Sequence, residues 1–357
     1  LRRCKLCLLP STVPGADFDA RGVCAVCREY QPADAAAEER KRAAREADLE
    51  QAIAAARRSD APYHALVCLS GGKDSLYLLQ RLAVDCKLRV LAFTTDVNIP
   101  DIAWQNIRRT VAKLEIDHLV YRPADAFYRR LFRHLLMHQE ARGAVYTVSY
   151  VYAPLFEGDA LAVATERGIP LVLAGYSPGQ PEPERMEYEF SRALIERTDW
   201  TPPALRTAGL FDAAALARFW NPYRYPPGTR FPRYLAPFHA WHYDQEDVMR
   251  RVHGLGLVAK RAHASPVVSN YPINWLLMYS DLRHFGYNPY APEFSALIRS
   301  GKASLRHWRV MAPLVDHMIR RRAFLGRDVT RQMRWLGLGD ADLAITEPRG
   351  AYDPEIA

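Results

Sequence analysis

Residues 64–78 read HALVCLSGGKDSLYL, an apolar run that stops at a serine, turns through two glycines and resumes with helix-forming residues. Four to six apolar residues without polar alternation fit a strand buried on both faces, and residues 75–85 read as the helix that follows. The order strand, glycine turn, helix aims the backbone N–H groups of Ser70-Gly71-Gly72-Lys73-Asp74-Ser75 and the positive end of the helix at one point. That is an anion cradle. Gly71 and Gly72 allow close backbone approach, Ser70 and Ser75 bring hydroxyl donors, Lys73 adds a point charge, and Asp74 is placed to orient a metal or cap the loop. The spacing differs from GxxxxGK[ST], because four residues do not separate the glycines.

Outward from this stretch, the runs His64–Leu69, Leu88–Thr94, His118–Tyr121 and Ile169–Ala174 are short and rich in Val, Ile and Leu. Helix-like segments at 75–85, 101–115, 125–142 and 154–167 alternate with them. Alternation of this kind predicts an α/β fold with a parallel sheet covered on both faces, whose ligands bind at the carboxyl ends of the strands. Thr94, Thr95 and Asp96, at the end of the second run, and Gly175, at the end of the fourth, are therefore candidate nucleotide contacts; a polar strand exit or a simple turn would use the same residues. Residues 33–58 read as a solvated linker helix with Leu49, Ile53 and several alanines on one side. The stretch 177–242, rich in Pro, Tyr, Trp and Arg, reads as ordered irregular structure. Asp244 is a candidate N-cap, and Pro272–Phe285, Pro292–Ser300 and Leu305–Phe324 read as helices, with Gly301 as a terminator. The expected division is 1–30, a cysteine-bearing knuckle; 31–60, the linker helix; 61–200, the anion-binding unit; and 201–345, a mainly helical region for substrate or partner.

The chain has 357 residues, enough for two or more structural units, and its 49% hydrophobic and 25% charged composition is that of an ordinary globular protein. No apolar run approaches the length of a membrane helix and no signal-peptide core is visible, so a cytoplasmic protein without membrane contact is expected. The formal charge of +8 suits an anionic partner, whether nucleotide, nucleic acid or acidic metabolite, or else a merely solubilising surface.

Cys4-x-x-Cys7 and Cys24-x-x-Cys27, separated by 16 residues, fit a structural site of four thiolates around Zn2+. Iron bound by four cysteines is the competing reading. Such a metal supplies the stability that some 30 residues cannot obtain from a core of their own. Cys68 lies in the strand before the loop and reads as packing; Cys86 has no partner at useful spacing. Beyond residue 86 there is no cysteine, hence no nucleophile of the kind a built-in glutaminase or a sulfur carrier needs.

SGGKDS resembles the signature of the PP-loop ATP pyrophosphatases. The resemblance implies ATP and Mg2+ as cofactors, cleavage between the α- and β-phosphates, adenylation of a substrate oxygen, and roles for Ser70, Lys73 and Asp74 in that step. The combination of RCKLCLLPSTVPGADFDARGVCAVC, a linker helix, SGGKDS and a tail reading SNYPINWLLMYSDLRHFGYNPYAPEFSALIRSGKASLRHW is similar to the N-acetyl sugar amidotransferase family. That similarity touches about half the chain and implies a zinc ribbon, a sugar or other small-molecule acceptor, and ammonia delivered by a separate glutaminase. Residues 186–242 depart from the family pattern, which leaves the acceptor open. Two other readings stand beside it: a thiolation enzyme acting on tRNA or a small molecule with sulfur from a partner, and a non-catalytic nucleotide-binding subunit. Arg192, Arg197, Arg206, Arg218, Arg224, Arg230 and Arg233, interleaved with aromatics, suit nucleic acid less well than a packed loop region. His239, His242, His253 and His263 lack a metal-binding arrangement, and Asn270 and Asn274 are candidate cleft or capping residues.

Overall fold

The computed structural model describes residues 2–32, 35–178, 186–265, 269 and 271–353; Asn270 lies outside them. The anion-loop strand is β1 (Ala65–Cys68), and it occupies the centre of a five-stranded sheet. β2 (Val90–Thr95) and β3 (His118–Tyr121) continue the sheet on one side of it. A two-residue strand, β4 (Gln139–Glu140), lies apart, while β5 (Leu171–Leu173) and β6 (Arg233–Leu235) extend the sheet on the other side. Every pairing is parallel, as shown by Ala65 opposite Val90, Leu66 opposite Val172 and Val172 opposite Tyr234. The order β3-β2-β1-β5-β6 reverses direction at β1, so the crevice beyond β1 and β5 is the switch point at which such sheets bind ligands.

Strand residues alternate between two cores. On one face Val67, Ala92 and Leu173 pack against α1 (Ala35–Arg57), α2 (Lys73–Gln80), α3 (Asp101–Leu114) and α6 (Gln245–Gly254). The other face carries Leu66, Phe93 and Val172 against the second half of α5 (Ala144–Glu166) and against Phe190, Trp200 and Trp220. A third core joins α4 (Asp125–Met137) and the first half of α5 to α7 (Ile273–Phe285), α9 (Leu305–Arg321) and α10 (Arg327–Leu336). Helix α8 (Ala291–Arg299) belongs to the N-terminal knuckle through its buried Ile298. A last strand, β7 (Ile345–Glu347), pairs with β4.

Four expectations change. The segment 33–58 is more than a solvated bridge, because Leu49, Ala52, Ile53 and Ala56 of α1 are buried on the sheet, worth roughly 1.5–3 kcal/mol for each of the two large side chains. The sheet that carries the glycine loop extends past residue 200. Strand β6 and helix α6, both within the expected helical region 201–345, pair with and pack on that sheet, whereas Leu205, Phe211 and Phe219 pack in the third core. The helix expected over 75–85 ends at Gln80 and continues as a π-turn, Arg81–Asp85. Helix α5 begins at Ala144, ten residues before the expected start, and carries Pro154 inside it. Among the described residues no helix is long and apolar enough to cross a membrane.

Candidate nucleotide and metal sites

The loop after β1 is braced from within. Ser70 N–H donates to Ser75 Oγ at 3.2 Å, the two serine hydroxyls lie 3.2 Å apart, and Ser75 Oγ donates to the Gly72 carbonyl at 3.0 Å. Ser75 thus shapes the loop, while Ser70 is exposed at its mouth. Gly71 has φ +80°, and a Cβ there would lie 2.8 Å from the Ala103 carbonyl carbon, so the glycine lets α3 approach the loop. A Cβ on Gly72 would meet only Ser70 Oγ, at 3.6 Å. Nothing in the fold demands glycine at 72; close approach by a ligand from outside would.

Gly175, leaving β5, stands against the loop from the far side of the crevice: its Cβ would be 2.9 Å from Ser75 N and 3.1 Å from the Asp74 carbonyl carbon. Lys73 and Asp74 are buried, with 6% and 8% exposure, and pair at 2.5 Å. Tyr243, which the sequence reading missed, joins them: Lys73 Nζ donates to its hydroxyl at 3.1 Å, and that hydroxyl donates to Asp74 Oδ1 at 2.8 Å. Burial, and then the Asp74 charge, raise the Tyr243 pKa and keep its proton in place.

At the adjoining exit of β2, Thr94 is turned inward, donating to the Leu69 carbonyl at 2.6 Å and lying 2.8 Å from His118 Nε2. Thr95 Oγ1 donates to Asp159 at 3.2 Å, and Arg122 Nε donates to Asp96 at 2.6 Å. Thr95 and Asp96 therefore sit in ion-pair surroundings at the exit of β2, and the Thr94 hydroxyl is committed to tying β2 to β1. Asp159, which the sequence did not single out, pairs at 3.2 Å with Arg218, which the sequence marks only as one of the arginines of the aromatic middle. Burial raises the Asp159 pKa to about 6, against the opposing pull of Arg218. Glu157 on the same helix is fully buried and receives the Tyr176 hydroxyl at 2.7 Å. Both carboxylates fall within the helix expected over 154–167, and two acids inside an otherwise apolar helix were the available signal. Cys68 sits 3.5 Å from the Tyr234 hydroxyl, and burial pushes its thiol up to about 12, so it is a protonated packing residue.

In the N-terminal knuckle the sulfur atoms of Cys4, Cys7, Cys24 and Cys27 all lie within 4.8 Å of one another. Cys4 and Cys27 are 3.8 Å apart and Cys7 and Cys24 3.6 Å, with none of them in a disulfide. Tetrahedral Zn–S bonds place sulfurs about 3.8 Å apart, so the donor set fits Zn2+. Burial works against the Cys4 thiolate, but backbone N–H groups of Cys24, Cys7 and Leu6 bring its pKa down to about 7; burial raises Cys24 to about 11. Four thiolates at this spacing would need a cation among them to offset their charge. Arg299 on α8 donates to Cys7 Sγ at 3.3 Å, and Arg3 pairs with Asp316 on α9.

Of the arginines in the aromatic middle, Arg206 pairs with Asp199, Arg218 with Asp159, and Arg233 with both Asp48 and Glu189, while Arg224 donates to backbone carbonyls. These four serve internal contacts.

No protein-family model matches the chain, and no curated protein matches it. Among solved structures, an NH3-dependent NAD synthetase from Campylobacter jejuni aligns over 82% of this chain and 95% of its own, at 12% identity and a TM-score of 0.35. An NMN synthetase from Francisella tularensis aligns over 85% and 97%, again at 12% identity and a TM-score of 0.35. Likeness at that level carries no functional inference.

Proposed function

We propose that the chain is an ATP-dependent, AMP- and pyrophosphate-forming amidotransferase. The observation that carries the reading is the Ser70–Ser75 loop at the exit of the central strand, opening α2 and backed by Gly175 at the sheet's switch point. Free backbone N–H groups at a helix start and an unobstructed Gly72 suit an oligophosphate. Mg2+, when bound, would neutralise phosphate charge. Asp74 fits a hard cation, because a carboxylate has about four acceptor positions and its contacts to Lys73 and Tyr243 leave some unused.

In this reading an acceptor oxygen attacks the α-phosphorus, the α–β bridging bond breaks and pyrophosphate leaves. Ammonia then adds to the activated carbon, and the original oxygen departs with AMP. The loop holds the phosphates, and Lys73 offsets the charge that develops on them. The resemblance of the knuckle, loop and tail to N-acetyl sugar amidotransferases makes an acetamido sugar the first acceptor to test, with ammonia supplied by a separate glutaminase. Zn2+ at the four cysteines is structural in this scheme, since four protein ligands leave no open position.

The test is a product assay with α-labelled ATP, Mg2+ and ammonium over a panel of acetamido sugars and other amides, with Ser70→Ala and Lys73→Ala controls. AMP that requires both ammonium and one acceptor is the expected result, and each substitution should lower its rate at least about tenfold, the effect of losing one good polar contact. ADP and phosphate as products would overturn the reading; AMP formed only with sulfide and tRNA would transfer the protein to the thiolation enzymes.

A further inference from the structure

Tyr243 lies 170 residues from Lys73 in the chain, on the segment between β6 and α6, yet its hydroxyl reaches the bottom of the anion loop. Both ends of the segment are fixed. Ala236 N–H donates to the Tyr188 carbonyl at 2.8 Å, and Asp244 caps α6 by accepting from Asp247 N–H at 2.7 Å. Within it, the Phe238 ring stands 5.3 Å from Tyr243, and Trp241 lies under the Arg81 guanidinium at 3.7 Å. Ser177, two residues past Gly175 and buried, also hydrogen-bonds the Tyr243 hydroxyl. One hydroxyl thus joins the exits of β1, β5 and β6.

A phenylalanine would fill the same space. The hydroxyl matters for the ion pair beneath it: with Lys73 on Oδ2 and Tyr243 on Oδ1, the Asp74 carboxylate is fixed in one plane from both sides. If Lys73 swings from Asp74 to a phosphate oxygen, the carboxylate loses one holder and keeps the other. Without the Tyr243 hydroxyl the carboxylate would then have no holder and would turn freely about its terminal bond.

We propose that Tyr243 is a positioning residue for the nucleotide site, holding Asp74 toward the metal–phosphate complex while Lys73 exchanges its carboxylate partner for phosphate. The role rests on the ATP reading above. It assigns to the aromatic middle of the chain a part in the site that its local sequence does not announce.

The test is equilibrium titration of ATP, with Mg2+ and with EDTA, into the wild type, Tyr243→Phe, Asp74→Asn and the double variant, alongside thermal unfolding. Tyr243→Phe keeps the ring and should keep the wild-type melting temperature within a few degrees. Its affinity for MgATP should fall about 10- to 100-fold, the range expected for losing a hydrogen bond to a charged group, while affinity in EDTA changes less than about threefold. In the Asp74→Asn background, Tyr243→Phe should have almost no further effect, because the hydroxyl acts through that carboxylate. Equal losses with and without Mg2+, additive losses in the double variant, or an unaltered MgATP affinity would each overturn the role while leaving ATP binding established. A wild type that binds no ATP in either condition overturns the nucleotide reading and this role with it.

Discussion

A methyl group added at Gly72 would meet nothing nearer than the Ser70 hydroxyl, whereas one added at Gly175 would press on the backbone of Asp74 and Ser75. The two glycines therefore answer to different constraints, one external and one internal. Gly72→Ala, at φ −79°, should fold with stability within about 1 kcal/mol of wild type but bind ATP at least about tenfold more weakly, because the methyl occupies the approach to the backbone. Gly175→Ala should cost about 1–3 kcal/mol of stability through overpacking and weaken ATP as well. Melting curves and ATP titrations on both proteins check this; a Gly72→Ala protein with wild-type affinity would remove the cradle from that position. The loop residues were legible because strand, glycines and helix are contiguous. Tyr243 and Asp159 were not, since each comes from a distant segment whose own pattern reports only packing, and Arg218 stood out only as one arginine among seven.

Helix α5 shows what a single element can hide. Its first turn is capped from another helix: Asp281 on α7 accepts from Ala144 N–H and, at 3.0 Å, from Val145 N–H. Burial raises the Asp281 pKa to about 7, and the two N–H groups only partly offset this. A carboxyl whose folded pKa lies above its unfolded value binds more protons in the folded state. Its contribution therefore favours folding at low pH, weakens as pH rises from about 4 to about 7, and is flat above that, by a total on the order of 4 kcal/mol. Urea midpoints of Asp281→Asn should lose this part of the pH slope between pH 4 and 7; an unchanged slope would mean that the carboxyl titrates normally. The cap also explains why the helix start escaped the sequence reading, which looks for a local Ser, Thr, Asp or Asn, whereas here Gly143 at φ +97° precedes the helix and the acceptor comes from residue 281. Strand β6 escaped for a related reason. It is three residues long and stands among prolines, and its pairing with β5 and with the Tyr188–Phe190 segment marks it as a strand. The four other strands of the sheet were visible because each is an unbroken apolar run next to a helical one.

Over the whole molecule, the knuckle packs on the helices at the opposite end of the chain. Cys4, Cys7 and Cys24 share a core with Ile298, Arg299 donates to Cys7, and Arg3 meets Asp316. Removing the metal should therefore loosen residues 291–321 as well as the knuckle, while the sheet is spared. Hydrogen exchange before and after chelation, and on Cys24→Ser, should show faster exchange in α8 and α9 with β1 and β2 unchanged; unaltered α8 and α9 would show that docking does not need the metal. The basic charge has a parallel lesson at this scale, since Arg206, Arg218 and Arg233 are each paired with an acid of the same chain, Arg218 with a largely buried one.

Arg3 and Asp316 are separated by 313 residues, and this spacing sets a timetable for synthesis. At about 5–20 residues per second the ribosome needs roughly 15–60 s to make what lies between them. For that interval the four thiols have emerged, but the surface that receives them does not exist. Early metal capture would shield them from oxidation and from mispairing with Cys68 or Cys86 until the last helices arrive.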